Sequence, residues 1–133
     1  MKTLIAILVF AFAAFGQSDL PDKGSLSDIV GKTKVYIVAD GDAAKVIQKQ
    51  INKSDVLSGV SKADDAEIFV EYRSLARNSL PPTGIQTETG QIDVCYFREK
   101  RKVIAWSGSH TGGAFKGDAA NYLIKKFLKE LSK

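Results

Sequence analysis

Hydrophobic and polar residues alternate through Glu67–Ala76. Ile68, Val70 and Tyr72 share one side of an extended chain, and Phe69, Glu71 and Arg73 share the other. This predicts a strand with one buried face and one wetter face. "TKVYIVA" (Thr33–Ala39) is rich in β-branched and aromatic residues and predicts another strand. "QIDVCYFR" and "VIAWSGS" predict two more, joined by a charged hairpin tip at Glu99–Lys102. Asp55–Ser61 reads as a weaker strand, because Gly59 interrupts it.

The period changes to 3.6 in two places. After Asp40 and Asp42, either of which can cap a helix, Ala43, Val46, Ile47 and Ile51 fall near one helical face. After Asp118, read as an N-cap, Ala120, Leu123, Ile124, Phe127, Leu128 and Leu131 form a stripe. Between the strands, "KADDA" reads as a polar turn, "RNSLPPTGIQTETG" as the longest breaker region, and "HTGGAFKG" as a loop. The expected order is β-α-β-β-β-β-α. Two helices with one apolar stripe each cover one face of a largely antiparallel sheet, which is a two-layer α+β domain.

The amino terminus follows a different pattern. Lys2 precedes an unbroken apolar run from Leu4 to Phe15, and Ala14-Phe15-Gly16 offers small residues for a signal peptidase. The run is too short for a spanning helix, which needs about 20 apolar residues. The expected organisation is a signal peptide over 1–16, a flexible polar leader over 17–31 and a single domain over 32–133. An exported protein, periplasmic or secreted, is the matching expectation, with no transmembrane span in the mature chain. The 133 residues carry a formal charge of +4. That mild basicity does not argue for nucleic acid. Cys95 is the single cysteine, so no internal disulfide forms and the core must hold the fold. Its place in a strand-like run points to a buried structural thiol.

Candidate chemistry concentrates in Lys102–Phe127, which holds the single Trp, the single His and Gly108, Gly112, Gly113 and Gly117. A phosphate-binding P-loop needs a Lys followed by Ser or Thr after its second glycine, and Gly117 is followed by Asp118 instead. A zinc site needs more His and Cys ligands than His110 and Cys95 supply. Asp40 with Asp42, and Asp64, Asp65 and Glu67, could hold calcium, but helix capping and turn formation explain the same residues. No cofactor and no metal are expected. Asn52-Lys53-Ser54 is a glycosylation sequon, relevant only to a eukaryotic secretory pathway.

Lys125, Lys126, Lys129 and Lys133 gather opposite the apolar stripe of the last helix. Such a face can dock on anionic lipid or an acidic partner, or simply be solvated. With His110 and Trp106 these lysines form the candidate binding set.

The stretches "KTKVYIVADGDAAKVIQKQI", "KADDAEIFVEYRS", "RKVIAWSG" and "NYLIKKFLKEL" resemble those of small exported bacterial domains of unknown function. Related architectures include envelope lipoprotein domains, the amino-terminal domain of the Tol-system translocation protein and the periplasmic domain of the curli-secretion channel. The resemblance implies an assembly or binding module without a catalytic residue set. This chain departs from many such domains in lacking a lipobox Cys. The resulting expectation is a non-enzymatic exported domain that binds another envelope component. One alternative is a small secreted hydrolase using His110 with Ser107, Ser109 or Cys95. Another is a binder of anionic lipid or a small ligand.

Overall fold

The computed structural model describes residues 20–80, 82, 84–113 and 117–133. The proposed signal peptide, Pro81, Thr83 and residues 114–116 lie outside them. The elements in order are β1 (Asp22–Lys23), a 3-10 turn (Leu26–Ile29), β2 (Lys34–Val38), α1 (Gly41–Lys53), β3 (Ser58–Gly59), a 3-10 turn (Ala63–Asp65), β4 (Ile68–Leu80), β5 (Ile85–Arg98), β6 (Arg101–Gly112) and α2 (Asp118–Leu131).

The strands form a single six-stranded sheet in the order β1-β6-β5-β4-β2-β3. β4, β5 and β6 make an antiparallel meander whose pairings run the length of the strands. β2 runs parallel to both β3 and β4, and β1 runs parallel to β6. The sheet is therefore mixed: the long pairings are antiparallel, as the sequence suggested, and short parallel pairings flank them. The helix after β2 carries the chain back across the sheet, so β4 re-enters in the direction of β2. With its two helices the chain is an α+β fold.

Strand alternation builds the core. Val35, Ile68, Val70, Ile92, Val94 and Val103 are fully buried on the helix side of the sheet. Ile47 and Ile51 of α1 and Leu123, Ile124 and Phe127 of α2 close over them. Burying each such side chain contributes about 1.5–3 kcal/mol. The expected helical faces are the buried ones, with Val46, Leu128 and Leu131 at their margins. The two helices meet side by side, and Gln50 Nε2 donates to Asn121 Oδ1 across the seam at 3.1 Å.

Several local expectations are corrected. The leader is not free over residues 22–29. Asp22 and Lys23 pair with Val103 and Ile104, and Ile29 is fully buried. One isoleucine on a short turn has no periodicity to announce it. The breaker region is extended chain on both sides of its turn: Ser74 to Leu80 pairs back onto Ile85 to Gly90. This outer half of the hairpin is polar because it buries little, so it lacks the alternation that marks a core strand. His110, Thr111 and Gly112 belong to β6 and not to a loop. The weak strand shrinks to Ser58–Gly59, and "KADDA" contains a 3-10 turn.

Asp118 is the first residue of α2 and not its cap. Gly117 caps the helix with φ 84°, a backbone conformation that favours glycine. Asp40 does cap α1. The β5–β6 turn is shorter than expected. Glu99 and Lys100 alone make it, with φ of 51° and 68°. Positive φ at both central residues is the geometry of a type I′ hairpin, which matches strand twist.

Candidate functional site

The lysine face of α2 is exposed at Lys125, Lys126 and Lys129, and Lys133 lies exposed just beyond the helix end. Among the described residues, none of the four has a carboxylate within ion-pair distance. Tyr122 stands in the same strip and is 47% exposed. The His110 imidazole stacks on its ring, with centroids 3.6 Å apart and planes 12° from parallel. Trp106 is half-buried. It packs on Phe127 at 5.4 Å between centroids and its Nε1 donates to Glu130 Oε1 at 3.3 Å. Thus His110 joins the lysine strip through Tyr122, while Trp106 anchors α2 to β6. Tyr122 was missed in the sequence because it reads as one more residue of an amphipathic helix.

Among the described residues, the opposite face of the sheet carries no helix. At its centre sits Asp93, only 7% exposed. It accepts from Ser107 Oγ at 2.6 Å, Gln91 Nε2 at 2.9 Å and Arg73 Nη2 at 3.3 Å. A buried carboxylate is costly unless its lone pairs are met, and here they are. Beside it, Lys102 Nζ donates to Glu71 Oε1 at 2.7 Å. Cys95 is fully buried beneath these groups. Burial first, and then the neighbouring Glu71 carboxylate, push its thiol up to about 12. Tyr36, Phe69 and Phe97 complete this face in two edge-to-face contacts, at 6.1 and 5.5 Å between centroids. They come from three different strands, so no local pattern could have grouped them.

The hydrolase residues are separated by the sheet. Strand alternation in β6 sends Ser107 and Ser109 to the open face, opposite Asp93 and Gln91. Cys95 lies on that face too, next to Glu71 and Lys102. His110 points the other way, to Tyr122 of α2. A histidine on one side of a sheet cannot take a proton from a hydroxyl or thiol on the other.

A cleft of about 550 Å³ opens where both helices begin. The first turns of α1 and α2, the end of β6 at Gly112 and the outer hairpin line it. Gly112 is a packing device. A Cβ on Gly112 would come 2.6 Å from Ala119 N, where the strand end meets the helix start. Both guanidinium groups of the cleft already face carboxylates: Arg73 meets Asp93, and Arg77 Nε meets Glu88 Oε1 at 2.9 Å. Tyr72 donates its hydroxyl to Glu88, and burial and that carboxylate raise its pKa. Asp40, Asp42 and Asp118 add further negative charge to the wall. This is a poor setting for a phosphate. Among the described residues no group of three His, Cys, Asp or Glu side chains could hold a metal ion. No helix among them is long and apolar enough to cross a membrane.

No protein-family model matches the sequence, and no curated protein matches it. The chain is similar to solved structures. A PelC dodecamer from Paraburkholderia phytofirmans is 16% identical with a TM-score of 0.50, covering 75% of this chain and 88% of that one. A hypothetical protein from Chlamydia trachomatis is 9% identical with a TM-score of 0.47, over 76% of this chain and 94% of that one. An uncharacterised lipoprotein B from Nitrosomonas europaea is 14% identical with a TM-score of 0.49, over 76% of this chain and 83% of that one. At these identities the likeness extends to the fold, and the PelC comparison carries it.

Proposed function

We propose that this protein is an exported, non-enzymatic domain that binds another component of the cell envelope, and that the exposed strip of α2 is its contact surface. The observation that carries this reading is the strip itself. Among the described residues, Lys125, Lys126, Lys129 and Lys133 have no carboxylate within ion-pair distance, and they flank an exposed Tyr122 held by His110. An aromatic ring among unpaired ammonium groups suits an acidic partner surface, since Tyr supplies apolar contact and a polar tip at low entropic cost. The apolar run from Leu4 to Phe15 supports export. The apolar stripe of α2 is committed to the core, so the helix has no second stripe to bury in lipid.

The test is photo-crosslinking in the native envelope, with probes placed in turn at Lys129, His110 and Glu71. A discrete protein adduct at Lys129 is expected, with Glu71 on the open sheet face as the contrasting position. An absence of adducts at every probe, with the protein abundant and folded, would overturn the reading. Liposome sedimentation separates a lipid target, whose contact with the lysines weakens as salt rises.

A further inference from the structure

β6 is the outer strand of the sheet over most of its length. On that side its sole strand partner among the described residues is β1, at Val103 and Ile104. Gly24 N–H extends this pairing by donating to Ile104 O at 2.8 Å, and the chain then turns away. From Ala105 to Gly112 no strand among the described residues lies beside the outer edge. Natural sheets usually blunt such an edge with Pro or an inward-pointing charge. This stretch, "AWSGSHTG", has neither; its one bulge, another such device, falls at Ala105 and leaves Trp106–Gly112 in regular register.

The contacts of α2 show which of its side chains overhang this edge. Asn121 faces α1, through Gln50. Tyr122 and Glu130 face β6, through His110 and Trp106. At 3.6 residues per turn, Lys126 and Lys129 lie within about 40° of Tyr122 around the helix. The ammonium groups of Lys126 and Lys129, with Lys133 beyond the helix end, therefore roof the side of α2 that looks over the free edge. The edge offers backbone hydrogen bonds, and the roof offers positive charge.

We propose that an extended acidic segment of a partner protein adds to β6 as a further strand along Ala105–Gly112, with carboxylates on its helix-side positions meeting Lys126, Lys129 and Lys133. This rests on the binding-domain reading and names the chemistry of its partner. Strand addition draws affinity from main-chain pairing and specificity from alternate side chains. Charge also selects against a second copy in this slot. Pairing β6 with its own symmetry mate about a two-fold axis sets two lysine strips side by side, and like charges repel. The opposite edge is the weaker template. Among the described residues, β2 has no outer strand partner only beyond Val35, over Tyr36–Val38.

The probe is an alternating Val-Glu octapeptide, which as a strand puts every Glu on one side, with the alternating Val-Lys octapeptide as control. Amide hydrogen exchange on the purified protein reads its location. We expect the Val-Glu peptide to slow exchange of outward amides within Ala105–Gly112. Affinity should fall at least about tenfold between low and high salt, and by about as much in the Lys126→Glu/Lys129→Glu double variant. Both lysines are exposed, so that variant keeps the fold. No binding up to about 1 mM peptide, or protection elsewhere on the molecule, overturns strand addition.

Envelope crosslinking from Ser109 and Lys129 separates this proposal from the reading beneath it. Adducts at Lys129 alone retain the binding surface and refute the edge. Adducts at neither refute both. A crosslinked pair of this chain, or lipid adducts only, refutes the acidic protein partner.

Discussion

The imidazole of His110 and the ring of Tyr122 lie 3.6 Å apart and nearly parallel, joining the end of β6 to the first turns of α2. The pair holds an exposed aromatic in place on a helix whose other outward residues are mostly lysine. Aromatic pairs contribute about 0.5–1.5 kcal/mol beyond the area they bury. His110→Ala should therefore lower stability by about 1 kcal/mol in urea denaturation. Tyr122→Ala should cost a similar amount, and the double variant should cost less than the sum. Additive losses would show that the stack carries no coupling energy.

Ile29 is fully buried. Its side chain has no accessible surface, although it lies in a short turn before the first long strand. Ile29→Ala should destabilise the protein by about 2–5 kcal/mol, as expected of a core isoleucine. Removal of residues 17–31 should cost more, because it also strips β1 from β6. A fold that tolerated both changes would show that the segment merely rests on the core.

The Cys95 thiol should stay inert towards a thiol reagent at neutral pH in the native protein and react fully once the chain unfolds. Burial raises its ionisation to about 12, against a usual value of 9.0. The sign follows from which state holds the proton. Between pH 9 and 12 the unfolded chain loses it and the folded chain keeps it. Stability is fully present below pH 9 and declines as pH rises above that. Cys95→Ala should show a shallower decline than the parent between pH 8 and 10.5, measured by urea titration. Identical slopes would place the thiol in contact with water.

Glu99 and Lys100 both adopt positive φ in the β5–β6 turn, and neither is glycine. Asn-Gly is the favoured pair for a two-residue turn of this hand. The double substitution Glu99→Asn/Lys100→Gly should raise stability by roughly 0.5–1 kcal/mol. A loss of stability would mean that the exposed charges at this tip do more than the backbone conformation.

Local periodicity in the sequence determined much of this protein. The alternation of Ile68, Val70 and Tyr72 and the helical stripe through Leu123, Ile124 and Phe127 each follow from neighbours a few residues apart. They were enough to establish two amphipathic helices, a sheet with one buried face and the α+β class. The lysine strip was visible for the same reason. The positions of Ser107 and His110 on opposite faces were also within reach, once β6 is extended to Gly112, since strand residues alternate.

Tertiary structure alone decided the rest. β1 owes its place to backbone pairing with β6, which is indifferent to side-chain type. The outer hairpin from Ser74 to Gly90 is held by cross-strand pairs without a core, so its polar residues look like a breaker. Asp93 gathers Arg73, Gln91 and Ser107 from three strands, and Tyr36, Phe69 and Phe97 meet in the same way. Strand order decides such encounters, and strand order depends on long-range pairing. The free edge of β6 beneath the lysines of α2 is of this kind as well. The helix's charge can be read along the chain, but the strand it overhangs is set by how the chain packs.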